Sequence, residues 1–319
     1  MAGLYGLLKL LEFSFFGFYT SRAIRNQKDV KALIIMLSLG VLFESLLAAL
    51  QFLKQSSLGG VFYFFGERTF TSQTPGIANA SIEGKLILRP YGTFSHPNVL
   101  AGYLIIALAM VISNIKYQKA NIMKIFFLSS IAIGSIALLL TMSRTAIILW
   151  IAILFYLLKP LTLNTKYLIL FLVCIGSIFF SPFGSRFFNA AQTDESFIRR
   201  KELTITALEM IKSSPIIGVG LMNFLPNLPL FQETSASSLF TQLQPVHNIF
   251  LLVFAETGII GLSFFLWFLK KTFKRFTIFS IVLILGFFDH YFLTLQQGQL
   301  LFSFVFGYCW TRSFELHSI

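Results

Sequence analysis

Cationic side chains mark the polar stretch 182–246, which separates two long apolar runs, and one histidine follows it directly. Arg199, Arg200 and Lys201 are consecutive, and His247 stands where the next apolar run begins. An arginine pair can neutralise a pyrophosphate, and a histidine can take a proton from a hydroxyl group. The pattern indicates chemistry on an anionic substrate. Two simpler interpretations remain open: a basic patch on anionic lipid, and a hydrogen-bonded histidine at the membrane interface.

Two further arginines stand at the starts of apolar runs. Arg89 opens the sequence RPYGTFSHPN, and Arg144 follows Ser143. The planar guanidinium fork of Arg89 suits a phosphate group. The alternative for both residues is a long side chain that only extends its charge towards the lipid headgroups.

Three acidic residues lie inside apolar runs: Glu44, Glu256 and Asp289, the last followed by His290. A charged group in a bilayer is costly, so each should face the helix bundle or a water-filled cavity. Because Glu256 lies only nine residues after His247 on one predicted helix, we interpret it as a structural partner and not as a catalyst.

The composition is that of a helical membrane protein. The 319 residues are 56% hydrophobic and 12% charged, whereas soluble domains average about 25% charged residues. The net charge of +12 falls in the gaps between apolar runs, which argues against nucleic acid as a partner. No phosphate-binding loop, HExxH motif or clustered cysteine and histidine ligands occur in the sequence, so we predict no cofactor and no bound metal.

The apolar runs predict an all-α, polytopic fold with about nine transmembrane helices. The predicted spans are 2–19, 32–53, 99–115, 122–140, 145–158, 167–181, 249–269, 276–293 and 300–310. Basic residues fill alternate short gaps and orient the chain, so the long loops 54–98 and 182–246 are expected outside. This puts the N-terminus outside, and we expect that upstream helices are missing from the chain.

The second long loop is expected to contain a helix. Residues 195–212 place Leu203, Ala207, Leu208, Met210 and Ile211 at helical spacing with charges between them, which predicts an amphipathic helix near the membrane surface. Pro215 and the glycines at 218 and 220 should end it.

Taken in order, these segments resemble the O-antigen ligase and polymerase superfamily. The resemblance covers about residues 86–310, and the segments that carry it are RPYGTFSHPN (89–98), Ser143–Arg144, Arg200 with PIIGVG (215–220), HNIFL (247–251), ETGIIGL (256–262) and FDHY (288–291). One departure is Thr204, where the family usually has an aromatic residue four positions after the loop arginine.

The resemblance implies a glycosyltransferase with a GT-C-like membrane fold that needs no metal or nucleotide. It would divide the chain into N-terminal spans with the first outer loop (1–85) and an O-antigen ligase-related domain (86–312). The donor would be a glycan on undecaprenyl pyrophosphate at the outer face of a bacterial cytoplasmic membrane. The acceptor would be a glycan, a lipid or a protein. His247 resembles the family's general base and Arg200 its donor-engaging arginine, while Arg89, Arg144 and Arg199 resemble further pyrophosphate-binding residues.

Two alternatives remain. A polysaccharide polymerase shares all these motifs and differs only in its acceptor. A transporter or flippase is a different class, typically built from paired repeats with broken helices at mid-membrane. Here the cationic groups gather at one predicted face instead. The sequence identifies neither the glycan nor the oligomeric state.

Overall fold

The computed structural model describes residues 2–82, 84–115, 120–157, 195–231, 243–273 and 276–311. These ranges are mostly helical, which confirms the predicted helical fold, and they contain one short antiparallel hairpin that was not predicted. The chain divides into two compact units, residues 1–30 with 195–319 and residues 31–194. In chain order the elements are α1 (Ala2–Ala23), α2 (Gln27–Lys54), α3 (Val61–Phe64), β1 (Asn79–Ile82), β2 (Lys85–Leu88), α4 (Pro97–Ile115), α5 (Asn121–Leu140), α6 (Arg144–Leu157), α7 (Glu195–Ser213), α8 (Phe224–Phe231), α9 (Ile249–Thr272), α10 (Phe276–Phe288), α11 (Tyr291–Thr294) and α12 (Gln296–Cys309).

Four helices, α2, α4, α5 and α9, are long and apolar enough to cross a bilayer. The shorter apolar helices α6 and α10 lie at two more of the predicted spans. The described residues do not support the count of nine. α1 is helical at the first predicted span but carries a Lys9–Glu12 ion pair of 2.7 Å, α12 has only 14 residues, and the predicted span 167–181 lies outside the described residues.

In the unit of residues 31–194, α4 packs against α5 and α6. Polar side chains of α2 hold the loop that precedes α4. The Glu44 carboxylate accepts hydrogen bonds from the backbone N–H and the hydroxyl of Thr93, at 2.9 and 2.5 Å. The Gln51 side-chain oxygen accepts from the backbone N–H groups of Tyr91 and Gly92. Glu44 therefore faces protein, as predicted, and its role is to fix loop backbone.

In the other unit, α1 packs along α12, where Gly17 and Gly307 let the two backbones approach closely. α7 confirms the predicted helix 195–212. Its buried face, which includes Leu203, Ala207 and Met210, packs against α8 and α9, while Leu208 remains exposed. The predicted apolar face thus packs mainly on protein, and the placement of α7 near the membrane surface stays a prediction.

Candidate active site

His247 is fixed by the residue that follows it. The Asn248 side chain caps the start of α9 by accepting hydrogen bonds from the backbone N–H groups of Phe250 and Leu251, at 2.9 and 3.0 Å. Its amide nitrogen also donates to the carbonyl oxygen of Phe287 at 3.0 Å. Phe287 lies at the C-terminal end of α10, so Asn248 joins the start of one helix to the end of another. His247 is held at that junction.

The junction brings His290 and Asp289 beside His247. The imidazole rings of His247 and His290 meet edge to face, with centroids 4.9 Å apart. The Asp289 carboxylate accepts a hydrogen bond from the backbone N–H of His290 at 2.8 Å. The His290 ring is held in turn by a 2.6 Å hydrogen bond between its Nδ1 and the Thr294 hydroxyl. A histidine beside a carboxylate is the usual arrangement of a base with the group that orients it.

The two arginines of α7 act on this cluster. The pKa of His247 is lowered from 6.5 to about 4, chiefly by burial. Asp289 raises this pKa, whereas the neighbouring His290 and the positive charges of Arg200 and Arg199 contribute to lowering it. The imidazole is therefore neutral near pH 7, which is the form that can accept a proton. The structure thus brings Arg199, Arg200 and His247 together, but their catalytic and binding roles stay predictions.

Two side-chain nitrogen atoms at this site are buried. Among the residues that the structure describes, Nδ1 of His247 and Nε of Arg200 are both buried without a hydrogen-bond partner. Most buried polar atoms in folded proteins are paired. An acceptor hydroxyl and an anionic group are two partners that such a pair of nitrogens can take.

The ligand atoms of His247, Asp289 and His290 lie within 4.8 Å of one another, which is close enough for all three to contact one metal ion. Imidazole nitrogen and carboxylate oxygen are ordinary ligands of divalent metals. However, the positive charges of Arg199 and Arg200 reach the same histidine and would oppose a cation there. The donor set is compatible with a metal, whereas the surrounding charge favours an anion.

Arg89 and Arg144 lie in the other unit, so their predicted association with His247 stays a prediction. Arg89 is buried, and its guanidinium donates to the Thr141 carbonyl at 2.7 Å and to the Asn98 side chain at 2.6 Å. Thr141 lies three residues before Arg144, which begins α6. The structure therefore joins Arg89 to the turn that leads to Arg144, and it gives Arg89 a structural role that the sequence interpretation did not include.

Asp289 and His290 are the two residues that the predicted site omitted. Their motif FDHY contributed to the family resemblance, and Asp289 was expected to face the bundle. Their contact with His247, however, depends on how α10 packs against α9, through the Asn248–Phe287 hydrogen bond. The sequence signal that could have identified these two residues is an acidic residue next to a histidine within an apolar run.

Residues 128–266 match a family model described as O-antigen ligase. This range includes Arg144, Arg199, Arg200 and His247, whereas Arg89 and Asp289 lie outside it. A search of curated proteins found no match.

Proposed function

We propose that this membrane protein, in which residues 128–266 match an O-antigen ligase family model, is a glycosyltransferase of the O-antigen ligase and polymerase superfamily that transfers a glycan from undecaprenyl pyrophosphate to an acceptor hydroxyl. The transfer to the acceptor takes place at the outer face of a bacterial cytoplasmic membrane. The observation that carries the proposal is the partly buried, neutral His247 with Arg199 and Arg200 within electrostatic reach.

The proposed reaction is a single displacement. A ring nitrogen of His247 takes the proton of the acceptor hydroxyl while that oxygen attacks the anomeric carbon of the donor sugar. The bond from the anomeric carbon to the pyrophosphate oxygen breaks, and undecaprenyl pyrophosphate leaves with one more negative charge. Arg200 and Arg199 stabilise that charge, and the proton on His247 passes to water afterwards.

Asp289 supports this role of His247 electrostatically. Its carboxylate raises the pKa of His247, so it stabilises the imidazolium that forms when the base takes a proton. Arg200 and Arg199 have the opposite effect and keep His247 neutral before the reaction. We assign Asp289 the role of orienting and stabilising the base, and we place Arg89 and Arg144 as further pyrophosphate-binding residues.

The ligase assignment is tested by the products of purified protein in defined lipid. Labelled glycan on undecaprenyl pyrophosphate is supplied with a separate acceptor or with donor alone. Transfer to the separate acceptor supports a ligase, whereas lengthening of the donor glycan supports the polymerase alternative. Movement of intact donor across the bilayer with no covalent product would replace both with the transporter alternative.

A further inference from the structure

The segment 215–220 crosses α9 at a break in that helix. Gly258 has non-helical backbone angles, φ 63° and ψ −168°, inside α9. The backbone N–H groups of Val219 and Gly220 donate to the carbonyl oxygens of Ala255 and Glu256, both at 2.9 Å. In return, the backbone N–H of Ile259 donates to the Pro215 carbonyl at 2.9 Å. The break frees these groups of α9 for the crossing segment, so part of the predicted outer loop packs alongside a candidate membrane span.

The crossing requires a glycine in each of the two segments, Gly218 in the segment 215–220 and Gly258 in α9. A Cβ atom at Gly258 would overlap the backbone of Ile216, and one at Gly218 would overlap the carbonyl group of Glu256. Both glycines also have positive φ, 63° and 70°. The overlapped atoms belong to the backbone, so no side-chain rotation relieves the contact.

Glu256 adds a second attachment. Its carboxylate accepts hydrogen bonds from the backbone N–H groups of Met222 and Phe224, at 3.0 and 3.2 Å. Phe224 begins α8, and its side chain packs in the apolar cluster that holds Leu203 and Met210 of α7. One side chain of α9 therefore holds the segment that leads from α7 into α8, which explains an acidic residue within this apolar run.

We propose that the Gly218–Gly258 crossing and Glu256 are positioning elements, which hold α7 so that Arg200 faces His247. This inference rests on the proposed function, in which Arg200 engages the donor pyrophosphate. None of the three residues is assigned contact with substrate. They act through the placement of the arginine.

The length of α7 makes this placement sensitive. Arg200 lies 13 residues before Ser213, the last residue of α7, which corresponds to about 20 Å along the helix. The crossing holds the chain just beyond Ser213. A tilt of α7 by about 10° about that end would move Arg200 by roughly 3.5 Å, more than a hydrogen bond tolerates. A misplacement of about 1 Å can already cost about 10²-fold in rate.

The first test is a double-mutant cycle on the transfer rate with Glu256→Gln and Arg200→Ala. The substituted glutamine side chain would keep one acceptor oxygen and lose the other, so we expect the single variant to lower kcat by about 10-fold while KM for the acceptor stays unchanged. In the Arg200→Ala background, the same change should lower kcat by less than about 2-fold, because the residue it positions is absent. If the kcat of the double variant were lowered by the product of the two single-variant factors, the proposal would be overturned.

Thr257→Val is the matched control for this cycle. Thr257 adjoins Glu256 on α9, and its hydroxyl bonds only to the Val253 carbonyl within the same helix among the contacts that the structure describes. We expect Thr257→Val to leave kcat within about 2-fold of the parent in both backgrounds. A loss equal to that of Glu256→Gln would mean that any change in this turn disturbs the protein, and the positioning role would be rejected.

The second test needs no enzymatic activity. Spin labels at Ile205→Cys on α7 and Phe264→Cys on α9, both exposed positions, report the distance between the helices in protein whose two native cysteines are replaced. We expect one narrow distance distribution, which broadens in Glu256→Ala and Gly258→Ala. An unchanged distribution in both variants overturns the positioning role. Broadening in a protein that transfers no glycan would reject only the proposed function.

Discussion

The imidazole rings of His247 and His290 meet edge to face, with centroids 4.9 Å apart and an interplanar angle of 73°. The contact joins the start of α9 to the segment after α10, and it brings the Asp289 carboxylate to the same place. Arg199 and Arg200 on α7 add two positive charges within electrostatic reach of His247. An imidazole, a carboxylate and two guanidinium groups thus converge on one junction of three helices.

Arg200 should bind the donor through its planar fork and not through charge alone. We expect Arg200→Ala to weaken donor binding by roughly 1.5–3 kcal/mol, about 10- to 150-fold, because a hydrogen bond to a charged group is lost. Arg200→Lys should be clearly impaired, since lysine keeps the charge and loses the fork. Both effects are measured as the affinity of each variant for the donor in defined lipid. Lys201→Ala, which removes the neighbouring exposed cation, should bind donor nearly normally. Wild-type affinity in Arg200→Lys would indicate a lipid anchor and make Arg199 the next candidate.

The pH profile should reflect the low pKa of His247. Its pKa of about 4 means that the free enzyme holds a neutral base above that pH and loses it as the pH falls through that value. We expect kcat/KM for the donor to fall with a midpoint near 4 and not near 6.5. Arg200→Gln should move the midpoint up, because a positive charge is removed, and Asp289→Asn should move it down. Both variants use the same donor, so its own ionisation cancels in the comparison. Shifts in the opposite directions would exclude His247 as the titrating group.

Much of this site could be predicted from the sequence because it depends on local patterns. The apolar periodicity of 195–212 predicted α7, and the start of the apolar run after His247 predicted α9. The Asp289–His247 proximity could not be predicted, because it arises from the packing of α10 on α9. The same holds for Glu44 and Glu256. Both were predicted to face the helix bundle or a water-filled cavity, but their backbone partners Thr93 and Met222 lie 49 and 34 residues away in sequence.

Removal of divalent metals should leave transfer unchanged. The ligand set of His247, Asp289 and His290 would hold a cation only against the charges of Arg199 and Arg200. We therefore expect the initial rate to stay within about 2-fold after dialysis against EDTA. A larger loss that zinc or magnesium restores would assign a metal to this cluster and would require a different mechanism.

Within the unit of residues 1–30 and 195–319, the ends of α7 and α9 should lie on opposite sides of the membrane. Lys212, at the end of α7, lies in the long loop 182–246 expected outside, whereas Lys271, at the end of α9, belongs to a basic gap expected inside. Both side chains are exposed. We expect a membrane-impermeant thiol reagent applied to whole cells to label Lys212→Cys, and to label Lys271→Cys only after permeabilisation. Labelling of both in whole cells would contradict the assigned orientation.

The most direct measurement is the rate of glycan transfer by purified protein and by His247→Ala, with labelled undecaprenyl-pyrophosphate donor and an acceptor in defined lipid. Loss of a general base should lower the rate by about 10²–10⁴-fold, while donor affinity and thermal stability stay close to those of the parent. The account predicts that outcome. A His247→Ala variant that transfers glycan within about 2-fold of the parent rate would contradict it.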